Sequence, residues 1–299
     1  MNAVGRRLIE PARQLGLEEL AAAWFGVAIE ATLPGYGALA GEMEMFRKLR
    51  GALGASLLRS ASPEARNNRP CPWQPPCALD LLFREQARGG GGRGVPKPWV
   101  LAADRVGKDL VVRLTLFGFA TEWAPAISAA LAEALVYGVE WRLLRRDLFK
   151  PRPEISALRL LEIQGKATTT VPDAALVTFV SPLEAEMTDL REAPWSLLTR
   201  AARRVQMLAA WMDAGLSDSV EEIAAKAREL SYDAGGVEAL PVDRRSGRGG
   251  QAFQQLMHSG SLHLGGDLGS IWPLLRIMAF CHVGRGTTAG FGRVSVVAT

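Results

Sequence analysis

Four glycines and two arginines fall within ten residues at Gly284-Arg285-Gly286-Thr287-Thr288-Ala289-Gly290-Phe291-Gly292-Arg293, just ahead of the last apolar run of the chain. Backbone amides with no side chain over them can approach a sugar-phosphate strand closely, and Arg285 and Arg293 would add positive charge. The alternative is a tight helix-to-strand turn that needs glycine for its geometry alone. A dinucleotide fingerprint is excluded, because that motif follows a strand and opens a helix. No Gly-Lys-Ser/Thr of a Walker loop is present.

Further cations cluster elsewhere. Arg200, Arg203 and Arg204 stand at i, i+3 and i+4, a basic stripe that can follow phosphates or simply face solvent. Arg244, Arg245 and Arg248 lie among glycines in a stretch suited to ordering on RNA, and Arg142, Arg145, Arg146 and Lys150 form a third group. The three histidines, His258, His263 and His282, all fall near the carboxy-terminal end. His282, beside the glycine run, can touch RNA or complete the helix end. His263 alternates with leucines on a strand, and His258 sits in a loop next to Ser259-Gly260. None has a neighbour at metal-ligand spacing. Cys71, Cys77 and Cys281 read as packed free thiols rather than a zinc site.

These residues need a scaffold. Phe25 to Leu33 alternates as a strand, Pro34-Gly35-Tyr36-Gly37 breaks it, and Met45 to Arg59 carries apolar residues every four positions as a helix. Residues 60–94 are irregular, with a short helix near Leu79 to Ala87. Trp99 to Leu101 and Leu110 to Phe117 form a hairpin through Gly107, Ala124 to Val136 is an alanine-rich helix, and Ile155 to Ile163 is a strand. Strand, helix, hairpin, helix, strand is the split βαβ order of a ferredoxin-like domain. The pattern recurs. Strands are expected at Ala175 to Val180, ended or interrupted by Pro182, at Ser261 to Leu264 and at Arg293 to Val297. Helices are expected at Pro194 to Trp211, Val220 to Leu230 and Ser270 to Phe280. The expected architecture is α/β (α+β), with two tandem ferredoxin-like domains. Residues 1–168 form the first, with an irregular insertion at 60–97. Residues 169–299 form the second, with the glycine-rich loop at 284–292.

Composition agrees with a globular, mildly basic protein. Of 299 residues, 48% are apolar, enough for a substantial core, and the net charge is +4. No run reaches the length of a membrane span, no secretory signal opens the chain, and three cysteines make no disulfide framework. A reducing cytoplasm is the expected compartment.

The stretch from Ser261 through Gly265-Gly266-Asp267, Trp272-Pro273-Leu274-Leu275 and His282 to Arg293 resembles the carboxy-terminal signature of the CRISPR RNA-processing endoribonucleases. These are the sixth class of CRISPR-associated proteins, within the RAMP superfamily. Leu49-Arg50-Gly51-Ala52-Leu53-Gly54, the Cys71 to Phe83 segment and Leu114-Thr115-Leu116-Phe117-Gly118 are similar to theirs as well. The resemblance implies tandem ferredoxin-like domains and cleavage of repeat RNA 3′ of a stem-loop without a metal or other cofactor. The 2′-hydroxyl attacks the neighbouring phosphate, giving a 2′,3′-cyclic phosphate and a 5′-hydroxyl, and the guide RNA is retained. Repeat or guide RNA and other Cas effector subunits are the implied partners.

Many members carry a histidine in the N-terminal half, and this chain has none there. The resemblance therefore leaves Tyr36, Arg47, Lys48 and Arg50 as catalytic candidates, the cations stabilising phosphorane charge and Tyr36 orienting the hydroxyl. It leaves Arg200, Arg203, Arg204, Arg244, Arg245, Arg248, His282, Gly284, Arg285, Gly286, Gly290, Gly292 and Arg293 as RNA contacts. The missing histidine also suits a non-catalytic RAMP subunit that holds guide RNA in an effector complex.

Overall fold

The structure is a computed structural model and describes residues 3–88, 92, 94–144, 152–165, 170–184, 189–245 and 252–299. Arg145, Arg146, Lys150 and Arg248, together with most of the glycine run at 89–93, lie outside the described residues.

The chain opens with α1 (Ala3–Ile9), β1 (Arg13–Leu15) and α2 (Leu17–Ala23). The first half continues as β2 (Phe25–Leu33), α3 (Met43–Leu58), α4 (Pro63–Arg66), α5 (Ala78–Phe83), β3 (Trp99–Val106) and β4 (Asp109–Phe117). It closes with α6 (Ala124–Glu133), α7 (Trp141–Leu144) and β5 (Ala157–Gln164). The second half begins with β6 (Ala174–Glu184), α8 (Ser196–Ala209), β7 (Ala214–Leu216) and α9 (Val220–Glu229). Then come β8 (Ser231–Asp233), β9 (Val237–Arg245), β10 (Ala252–Gly265), α10 (Trp272–Cys281) and β11 (Val294–Ala298).

Two antiparallel sheets result, ordered β3-β4-β2-β5 and β11-β6-β10-β8, with β9 also paired to β10. β2 and β4 are central in the first sheet and β6 and β10 in the second, which is the ferredoxin-like arrangement. Alternation explains the faces. On β2 and β4, Ile29, Ala31, Leu33, Val112, Leu114 and Leu116 are buried beneath the helices. Ala28, Glu30, Arg113 and Thr115 project from the opposite face and line a cleft there. α3 buries Met45, Phe46, Leu49, Leu53 and Leu57, a helical stripe against the sheet, while Arg47 is exposed.

Three features depart from expectation. β6 runs through Pro182 to Glu184, because a register shift opposite His258 to Gly260 accommodates the missing N–H. The Ser261 to Leu264 strand is the end of the 14-residue β10, whose first part pairs with β9 in a long hairpin. Arg244 and Arg245 thus belong to a strand rather than a loop, although their side chains lie outside the described part. Finally, β1 pairs in parallel with β7 across the two halves. Val4, Leu8, Leu20 and Trp24 share one apolar cluster with α8 and α10. The described residues contain no helix long and apolar enough to cross a membrane.

Candidate nucleic-acid interface

The glycine run is a turn between α10 and β11, wedged into the seam between the halves. Gly290 has φ +81°, and a Cβ there would meet the Phe46 ring of α3 at 2.6 Å. At Gly292, φ +68°, a Cβ would stand 1.7 Å from the Val283 carbonyl oxygen. Both positions demand glycine for close packing inside the protein. Several amides of the turn are already engaged. Gly292 N–H donates to the Pro182 carbonyl at 2.9 Å, Ala289 N–H to Gly286 at 2.7 Å and Phe291 N–H to Gly286 at 3.3 Å. The expectation that Gly290 and Gly292 offer bare amides to a phosphate chain is therefore corrected. Gly284 is half-buried, its missing Cβ leaving room for the Glu184 carbonyl. Gly286 and Arg285 form the exposed crest of the turn.

The cations divide in a way the spacing alone does not reveal. Arg204 turns inward, its Nε donating to the Cys281 carbonyl at 3.0 Å and its Nη2 to Thr287 Oγ1 at 3.0 Å, so it clamps the turn. Burial pulls its pKa down. Arg203 is exposed and Arg200 half-buried on the same helix, so the expected three-arginine stripe is broken. Arg293 is held too: its Nη1 donates to Asp104 Oδ1 of the first sheet at 2.6 Å. Asp104 lies 3.6 Å from Arg113, which also pairs with Glu30. The chain Arg293–Asp104–Arg113–Glu30 thus ties the open face of the first sheet to the last strand. Sequence reasoning missed these acidic and basic partners. Glu30 and Arg113 are registered cross-strand neighbours, so pairing β2 with β4 is the step that finds them.

Beside this chain opens a cleft of about 500 Å³, lined by Glu30, Arg113, Phe280, His282, Arg293 and Leu161 among others. His282 caps α10 with φ +56° and is 3% exposed. Burial, reinforced by Arg204, Arg293 and Arg113, pulls its pKa down to about 3. It is a neutral residue of the cleft wall. His258 is fully buried on β10, correcting its placement in a loop. It accepts from the Leu190 N–H at 3.1 Å, and burial holds its pKa low. His263 projects, exposed, from the second sheet.

The four catalytic candidates do not converge. Tyr36 is 2% exposed and packs edge-on against Trp141 at 5.3 Å between ring centres, so it is a core residue and not a hydroxyl-orienting group at an open site. Arg47 is exposed near Glu44 at 3.6 Å, and Lys48 is half-buried beside it. Arg50 points away from the seam cleft into a second hollow bounded by Phe83 and Arg84. Cys71, Cys77 and Cys281 are buried free thiols. Among the described residues, no group of three His, Cys, Asp or Glu has metal-holding geometry.

Residues 177–294 match the family model of the CRISPR-associated endoribonuclease Cas6, and residues 44–149 match a model described as an N-terminal domain. No curated protein matches in sequence. Among solved structures, a Cas6 product complex aligns at 16% identity and TM-score 0.52, over 91% of this chain and 99% of that one. A Cas6 substrate-mimic complex aligns at 17% identity and TM-score 0.51, over 91% and 99%. A Thermus thermophilus Cas6 aligns at 18% identity and TM-score 0.49, over 92% and 100%. The likenesses to the product and substrate-mimic complexes bear on fold, and the match at 177–294 spans most of the second sheet and the glycine turn seated on α3. What the match supports is that residues 177–294 are similar to a CRISPR-associated Cas6 endoribonuclease.

Proposed function

We propose that this protein cleaves CRISPR repeat RNA in the precursor transcript, 3′ of a stem-loop, by attack of the 2′-hydroxyl on the adjacent phosphate and without a metal ion. The observation that carries this reading is the glycine turn of the Cas6-like segment lying against Phe46 at the start of α3. That contact sets the exposed crest residue Arg285 and the α3 cations Arg47 and Lys48 on elements that meet at one seam. Cations there would stabilise charge developing on the phosphorane, a role that requires no titration near neutral pH. Arg203 adds charge on the outer face of α8. The processed guide stays bound and passes to other Cas effector subunits in the cytoplasm.

The test is incubation of the purified chain with its cognate repeat RNA in EDTA. The expected products are a 2′,3′-cyclic phosphate and a 5′-hydroxyl. Tight binding of the repeat with no cleavage would remove the catalytic reading and leave a guide-holding subunit.

A further inference from the structure

A second hollow, of about 430 Å³, lies between α3 and the segment carrying α4 and α5. This volume falls within the size range of small-ligand sites, roughly 300–1,000 Å³. Its lining includes Arg50, Arg66 and Arg84, with Phe83 and Leu58 as apolar wall and Gly51 at the rim. Among the described residues a single carboxylate, Asp80, lines it, and that group is committed to Arg84, with Nε–Oδ1 at 2.5 Å and Nη2–Oδ2 at 3.0 Å. Arg66 donates to the Arg59 carbonyl at 3.0 Å. Arg50 lies 5.4 Å from the centre of the Phe83 ring, and its buried Nε has no hydrogen-bond partner among the described residues. Lys97 stands close behind, donating to the Phe83 carbonyl. Burial first, then repulsion from Arg50 and Arg84, brings its pKa down to about 8. Three guanidiniums lining one hollow, with the buried Arg50 Nε as an unused donor, suit an anionic group there.

We infer that this hollow is a subsite for one nucleotide of the single-stranded RNA flanking the cleaved bond, with the phosphate on Arg50 and Arg66 and the nucleoside against Phe83 and Leu58. The inference rests on the RNA-processing reading above. The position on α3 favours a strand over a free nucleotide. Arg50 is four residues, about 6 Å along the helix, beyond Phe46, where the glycine turn docks. A strand leaving the seam along α3 therefore meets Arg50 next.

Gly51 allows a test that spares the fold. It lies within α3 on an exposed surface, and a Cβ there would meet nothing within 4 Å. Gly51→Ala, Gly51→Glu, Gly51→Lys and Arg50→Gln are compared with the natural chain, with melting temperatures recorded for each. Binding of labelled repeat RNA is followed across a salt series, cleavage is followed at saturating protein, and uridine monophosphate and inorganic phosphate are titrated separately. Gly51→Glu and Arg50→Gln are expected to weaken RNA binding about 10-fold or more. Arg50→Gln should also flatten the salt slope by about one. Gly51→Lys should tighten binding and Gly51→Ala leave it unchanged. Cleavage at saturation by the Gly51 variants should stay within about 2-fold of the natural chain. If the chain binds and cleaves its repeat but none of the four variants alters affinity, the subsite is overturned while the processing function stands. If the repeat is neither bound nor cleaved, yet uridine monophosphate binds in a Gly51→Glu-sensitive way, the hollow serves free nucleotides and the RNA assignment is overturned. If neither RNA nor nucleotide binds, both readings fall.

Discussion

Arg293, at the entrance to the last strand, donates to Asp104 on the first sheet at 2.6 Å across 189 residues of sequence. Asp104 also faces Arg113 at 3.6 Å, so one carboxylate serves two guanidiniums. Both partners of the 2.6 Å contact are largely shielded, with side-chain exposures of 21% and 33%. Asp104→Asn leaves two cations facing each other and should cost about 1–3 kcal/mol in urea titrations, more than Arg293→Gln. The double-mutant cycle should return a coupling of about 0.5–3 kcal/mol. A coupling of zero would show that the pair does not join the two halves energetically.

Gly290 and Gly292 combine a left-handed backbone with contacts that exclude a Cβ. Gly290→Ala presses on a ring that can tilt slightly and should cost about 1–3 kcal/mol. Gly292→Ala meets a backbone carbonyl that cannot yield and should cost more, to the point of failed folding. Gly51→Ala, in open helical surface, should instead gain about 0.5–1 kcal/mol. Thermal melts of the three proteins decide the order, and equal melting temperatures would contradict it.

Tyr36→Phe keeps the ring against Trp141 and should leave single-turnover cleavage within about 2-fold of the natural chain. Tyr36→Ala opens a cavity beneath the first sheet and should cost about 3–5 kcal/mol. A large loss of cleavage in Tyr36→Phe, with stability intact, would return the hydroxyl to the reaction.

His282 should make the fold acid-sensitive. In the unfolded chain it takes up a proton below its ordinary pKa of about 6.5, whereas in the fold burial and three guanidiniums hold the value near 3. Its contribution is thus complete above pH 6.5 and is lost progressively as pH falls toward 3, because the unfolded state binds the extra proton. The melting temperature should drop from pH 7 to pH 5, and His282→Gln should flatten that slope. His258, also held below its ordinary value, adds a slope of the same sign. An unchanged slope in His282→Gln would place the acid sensitivity elsewhere.

Local pattern was enough to read most elements. The alternation of Val27, Ile29, Ala31 and Leu33, the four-residue recurrence of Met45, Leu49, Leu53 and Leu57, and the turn at Gly107 each reflect a periodicity carried by neighbouring residues. Pairs of such elements in the same order twice over led to two ferredoxin-like sheets, and the glycine-rich tail pointed to the family. The short β1 escaped because its partner, β7, lies some two hundred positions away and three residues carry no period.

Only the tertiary structure decided what each polar group faces. Arg204 and Arg203 are adjacent in sequence, yet one clamps the glycine turn and the other meets solvent. Tyr36 follows a chain break that reads as a surface loop, and it is the packing of Trp141 that buries it. Asp104, Arg113 and Glu30 became a bridge to Arg293 only when two sheets were set side by side. Periodicity is a property of one segment and survives in the sequence. The burial and charge around a side chain are summed over segments that meet only after folding.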